Sequence, residues 1–176
     1  MTAAIPALND VKLSTVTALA AHVQSRPEAA QTTWKADVEW TGGFTSRAKV
    51  RDFPAIPSDE PVALGGTDSA PNPVEQLLAA LGNCLAVGYA ANASLAGIAI
   101  RSLRISLQGN IDLRTFLGLI QGNAGYEAIQ VTVVLDAAAS PERLDELHRS
   151  VVGTSPVGHT LERAVPVTFK LTRPAN

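Results

Sequence analysis

Residues 72–84 read Asn72-Pro73-Val74-Glu75-Gln76-Leu77-Leu78-Ala79-Ala80-Leu81-Gly82-Asn83-Cys84, and this stretch decides the fold. Asparagine, then proline, then a long apolar run is how a helix begins. Asn72 suits the N-cap, Pro73 fits the first helical position, where a backbone donor is not missed, and Glu75 completes a capping box three residues after the cap. Leu77, Leu81 and Cys84 follow at spacings of four and three, so they share one apolar face. A cysteine on such a face is either a small packing hydrophobe or, where its surroundings favour the thiolate, a nucleophile. Both readings are open for Cys84, the single cysteine of the chain.

Upstream, residues 53–73 carry five prolines and three acidic residues around a short Pro61-Val-Ala-Leu64, expected to be extended, before Gly65-Gly66. Such a segment is a surface connection. Before it, Thr32–Trp40 and Phe44–Asp52 alternate β-branched or aromatic with polar residues around Thr41-Gly42-Gly43, which predicts a hairpin. From Leu8 to Gln24, Val11, Leu13, Val16, Leu19, Ala20 and Val23 recur at helical spacing and end at Arg26-Pro27, an amphipathic helix. Downstream, Leu103–Leu113 and Ala128–Asp136 read as strands, and Ser140-Pro141-Glu142 starts a helix running to about Val152. A turn or short helix at Ser155–Arg163 then leads to a final strand, Val165–Thr172. The order of elements is α+β with antiparallel sheets, not a parallel βαβ array. The expected division is an N-terminal helical extension, 1–30, and one domain, 31–176.

Composition narrows the function. With 46% hydrophobic residues in 176, the chain can bury a core of its own. A net charge of -2, with scattered basic residues, supplies no broad positive field, so neither nucleic acid nor an anionic membrane surface is an expected partner. One cysteine rules out an internal disulfide and a cysteine-rich zinc site, and an unpaired thiol suits a reducing compartment. The N-terminus lacks the basic and apolar regions of a signal peptide. The most apolar stretch, Leu77–Ile100, is interrupted by Gly82, Asn83, Asn92 and Ser94, so no membrane span is expected. A cytoplasmic protein without metal or cofactor is the simplest expectation.

Taken with Asp59-Glu60-Pro61, Leu64-Gly65-Gly66-Thr67-Asp68 and Ala70-Pro71 before it, the 72–84 stretch resembles the signature of the OsmC/organic hydroperoxide resistance family. Ser155-Pro156-Val157-Gly158-His159-Thr160-Leu161, with the strand-like 165–171 segment, is similar to that family's second motif, which in its peroxidase members opens on Cys-Pro. The resemblance covers roughly Thr32–Thr172. It implies curved antiparallel sheets packed on long central helices, in an intertwined homodimer with its sites at the interface. It also implies thiol chemistry: a thiolate cleaves the O–O bond of an organic hydroperoxide, and the resulting sulfenic acid is captured by a second cysteine. Here Ser155 stands at that second position and cannot form a disulfide, so an external thiol reductant is implied. The alternative is a dimer that keeps its apolar pocket for a small hydrophobic ligand without redox turnover.

Four further residues are candidates around Cys84. Arg47, on the second arm of the hairpin, is either the cation that holds the thiolate or a solvated strand charge. Glu75 is either an acidic partner or simply the capping carboxylate. Nine residues before Cys84 on one straight helix, it faces the other way and lies about 13 Å along the axis. Ser155 and His159 share a face if their segment is helical. A serine hydrolase is disfavoured, because no Gly-x-Ser-x-Gly elbow surrounds Ser155.

Overall fold

A computed structural model describes residues 8–163 and 165–173. Helix α1 spans Leu13–Ser25. A three-stranded antiparallel sheet follows, β1 (Asp37–Gly42), β2 (Thr45–Lys49) and β3 (Ile56–Ser58), in the order β1-β2-β3. The long helix α2, Pro73–Leu95, leads into β4 (Ile100–Gly109), a short α3 (Leu113–Phe116) and β5 (Ile129–Ala137). β4 and β5 pair antiparallel as a second sheet, and α4 (Pro141–Gly153) and α5 (Pro156–Glu162) close the described fold. The architecture is α+β with antiparallel sheets.

Helix α2 starts as its sequence dictates. Asn72 Oδ1 accepts the Glu75 backbone N–H at 2.9 Å, and Glu75 Oε2 accepts the Asn72 N–H at 2.9 Å, a complete capping box with Pro73 at the first position. Gly82, Asn83, Asn92 and Ser94 do not break it. Against the expectation from those interruptions, α2 contains an 18-residue window of mean hydropathy 1.3, long and apolar enough to cross a membrane by length and composition. Here it is the core helix. Leu81, Leu85, Tyr89 and Ala93, four apart, are buried with Ile98, Ala137, Leu147 and Val151. An ideal Cβ on Gly88 would lie 2.9 Å from Val151 Cγ1, so glycine there lets α4 approach α2 closely.

The turn before α2 is ordered by a buried carboxylate. Asp59, 1% exposed, accepts from the Glu60 N–H through Oδ1 and from the backbone and hydroxyl groups of Thr67 and Ser69 through Oδ2. The Thr67 hydroxyl and the Ser69 N–H, foremost among these donors, hold its carboxyl far below the usual carboxylate range. Glu60 Oε2 in turn accepts from the Asn72 amide at 3.2 Å. Asp59-Glu60 and Thr67 are thus the frame that delivers the chain to the cap of α2.

Three further expectations differ from the structure. Residues 61–64 are not extended: Val62–Leu64 forms a 3-10 turn, closed by Leu64 N–H to Pro61 O and by Gly65 in a left-handed conformation (φ 93°). The third strand lies earlier, at Ile56–Ser58, paired to β2. The strand expected to run to Leu113 ends at Gly109, because Asp112 turns the chain by accepting the Arg114 N–H and caps α3. Finally, Val165–Thr172 is no strand in the single chain. Its alternation is intact, but among the described residues it has no ladder partner, and Phe169 and Leu171 are 93% and 86% exposed.

The N-terminal segment is tied to the far end of α2. Asn9, at φ 55°, donates to Ser94 Oγ (3.0 Å) and Ile98 O (2.9 Å) and accepts from Ile100 N (2.9 Å). Ser94 Oγ donates onward to Leu8 O. α1 itself has no buried residue.

Candidate functional site

Cys84 sits in the middle of α2, half-buried, with its sulfur turned toward the start of α5. Ser155 lies 71 residues away in sequence, yet its Oγ is 3.3 Å from Cys84 Sγ. Packing of α4 and α5 on α2 brings them together: Val151 fills the space beside Gly88, and Pro156, at the first position of α5, fixes where that helix begins. Ser155 is the N-cap of α5. It is 5% exposed, and its Oγ accepts the Gly158 N–H at 3.1 Å.

A cleft of about 370 Å³ opens beside the sulfur, walled by Asn83, Val87, Gly88, Val151, Thr154 and Pro156. A second pocket, of about 470 Å³, lies on the other side of Ser155, between α2, β5, α4 and α5. Leu77, Leu81 and Leu85 form one wall, with Ile129, Val131 and Val133 of β5 opposite. Cys84 does not line this pocket, whereas Ser155 lines both.

The remaining candidates are engaged elsewhere. Arg47 pairs with Glu39 across the β1–β2 ladder at 3.6 Å, both side chains mostly exposed. Glu75 serves the capping box at the start of α2. His159 contributes its backbone N–H to Ser155 O, while the Ser155 hydroxyl lies against Gly158 and Cys84, so the two side chains do not hydrogen-bond to each other. Among the described residues, Ser155 is the hydrogen-bond partner of the Cys84 sulfur, and no cluster of three metal-ligating side chains occurs.

One polar pair escaped the sequence reading. Tyr89, 1% exposed on α2, hydrogen-bonds through its hydroxyl to His148 Nδ1 on α4, with the two rings stacked 6.1 Å apart. Burial raises the Tyr89 phenol above its ordinary value, so it stays protonated. Both residues line the end of the larger pocket. The signal was present: Tyr89 continues the Leu81, Leu85 face of α2, and His148 falls between Leu144 and Val151 on the inward side of α4.

Comparison with known proteins follows the same lines. Solved structures share the fold at low identity. An OsmC-like protein of Mycoplasma pneumoniae superposes with a TM-score of 0.65 at 19% identity, over 75% of this chain and 89% of that one. An organic hydroperoxide resistance protein of Legionella pneumophila gives 0.52 at 15%, over 74% and 91%. One of Elizabethkingia anophelis gives 0.54 at 17%, over 73% and 89%. No curated protein matches. Residues 66–170, which include the 72–84 helix start, Cys84 and Ser155, match the family model described as OsmC-like protein, and the chain belongs to that family.

Proposed function

We propose that this protein reduces organic hydroperoxides through Cys84, and that an external thiol returns the oxidised sulfur to the reduced state. The observation that carries the reading is the meeting of the two motif positions: Cys84 Sγ lies 3.3 Å from the buried Ser155 hydroxyl, beside a cleft open to a small oxidant. The names of the Legionella pneumophila and Elizabethkingia anophelis structures supply the substrate class. The thiolate sulfur takes the distal oxygen of the hydroperoxide, the O–O bond breaks, and the alkoxide leaves as the alcohol after gaining a proton from solvent. Sulfur is oxidised by two electrons to a sulfenic acid. Ser155 has no thiol to condense with it. A small thiol entering the cleft forms a mixed disulfide with loss of water, and a second thiol releases Cys84.

The working form in this proposal is a homodimer in the cytoplasm, with residues 1–30 as a helical extension. Support for the dimer lies in surfaces that a single chain leaves bare. β1, β2 and β3 pack on one another but not appreciably on α2, β4 or β5, and they expose Val38, Trp40 and Phe44. The alternating 165–171 segment lacks a sheet to join. A second copy has the same bare surfaces to offer in return.

The test is consumption of cumene hydroperoxide in the presence of a small thiol. The wild-type protein is expected to consume it, with a sulfenic acid trapped at Cys84 by dimedone, and Cys84→Ser is expected to lose both. Equal consumption by the two proteins would sink the reading. The second reading, an apolar-ligand binder without turnover, draws on the 470 Å³ pocket. It is the one left standing if neither protein consumes the oxidant.

A further inference from the structure

Resting on the reading of Cys84 as nucleophile, we infer that Ser155 is more than the residue left where a resolving thiol is absent: its hydroxyl is the donor that holds the Cys84 thiolate.

A serine hydroxyl carries one hydrogen and two lone pairs. Gly158 N–H donates to Oγ at 3.1 Å and so takes a lone pair, not the hydrogen. The remaining neighbour is Cys84 Sγ at 3.3 Å, within reach of the hydroxyl hydrogen. A neutral thiol could offer its own weak S–H instead, but a thiolate can only accept. The bond to the anion is the stronger of the two, because charge assists it. When Cys84 attacks, the Ser155 hydroxyl is therefore the group placed to donate to its sulfur.

Ser155 is also held in place from several sides. It is 5% exposed, so no water competes freely for its hydrogen. Its backbone carbonyl accepts the His159 N–H at 2.9 Å, and Pro156 fixes the backbone that follows. An ideal Cβ on Gly158 would lie 3.0 Å from Ser155 Oγ and 3.1 Å from its Cβ, so glycine gives the hydroxyl room. Within the single chain, Arg47 lies against Glu39 on the exposed β1–β2 ladder, and the group in hydrogen-bond reach of the sulfur is the Ser155 hydroxyl.

The test compares two substitutions of the same shape, Ser155→Thr and Ser155→Val, which differ only in the hydroxyl. The readout is the rate of Cys84 alkylation by iodoacetamide near neutral pH, where the sulfur forms a C–S bond and iodide leaves. Ser155→Thr is expected to alkylate within about threefold of wild type and Ser155→Val about tenfold more slowly, the loss of one charge-assisted hydrogen bond. The added β-branch is common to both variants, but Ser155→Val also removes the acceptor of the Gly158 N–H, so urea midpoints are measured beside the rates: slower alkylation at matched midpoints supports the donor, and slower alkylation that only tracks a lower Val midpoint counts against it. Equal rates for the two would overturn the inference. Hydroperoxide consumption is measured separately. Equal alkylation rates with Cys84-dependent consumption defeat the donor role alone, whereas a Thr–Val difference without consumption defeats the peroxidase reading alone.

Discussion

Gly66→Ala should be among the most damaging single-methyl additions in this chain. An ideal Cβ on Gly66 would lie 2.5 Å from the Glu60 carbonyl carbon and 2.8 Å from Glu60 Cα, with the carbonyl oxygen closer still. These are backbone atoms that no rotamer change can move, so the turn must open. Opening it breaks Gly66 N–H to Pro61 O (3.2 Å) and Asp68 N–H to Glu60 O (3.0 Å). At about 1 kcal/mol each, with further loss as the Thr67 and Ser69 donors are pulled from Asp59, the cost is about 2–4 kcal/mol. With a urea slope of about 2 kcal/mol per molar, the midpoint falls by about 1–2 M at a fixed protein concentration. Gly153→Ala is the control, because an ideal Cβ there meets nothing within 4 Å. It should shift the midpoint little. A Gly66→Ala midpoint within about 0.3 M of wild type would refute the view that this close approach locks the turn.

Two other outcomes are expected. The Asp59 carboxyl is held below its unfolded value of about 4, so it adds stability above that pH and loses it as pH falls. Wild-type stability should begin to fall near pH 5 and keep falling well below pH 3, whereas Asp59→Asn should start lower at neutral pH and drop less. Parallel curves would exclude Asp59 as the source. For the dimer, sedimentation at micromolar concentration should give twice the chain mass, and Phe169→Glu should weaken association by more than about tenfold. A monomer in the wild-type run would remove the dimer from the proposal.

The start of α2 was legible because capping chemistry is local: Asn72, Pro73 and Glu75 satisfy one another within a single turn. The β4–β5 pair and α4 were legible from periodicity for the same reason. Two classes of feature were not. The Val62–Leu64 turn depends on a carboxylate, Asp59, whose donors Thr67 and Ser69 lie eight and ten residues on, beyond any local pattern. The 165–171 alternation has strand periodicity, but a strand needs a ladder partner, and among the described residues it has none. At the site, Cys84 and Ser155 were singled out by motif, but their contact comes from helix packing across 71 residues. Periodicity puts Tyr89 and His148 each on the inward face of its helix, but their meeting depends on how α4 packs on α2. Arg47 and Glu75 had the right charge for the task, but the β1–β2 register and the helix cap decide which neighbours they meet.

Asn9 gives the N-terminal segment an unusual status. Its three hydrogen bonds pin the chain at the α2–β4 corner, and β1 pins it again at Asp37, so everything between is a closed loop that happens to contain a helix. Closure entropy grows only with the logarithm of loop length. Evolution can therefore lengthen, shorten or redecorate α1 at almost no thermodynamic penalty while the latch stays put. α1 buries no residue, so the Asn9 and Ser94–Leu8 bonds, not a packed helix face, hold this segment to the core.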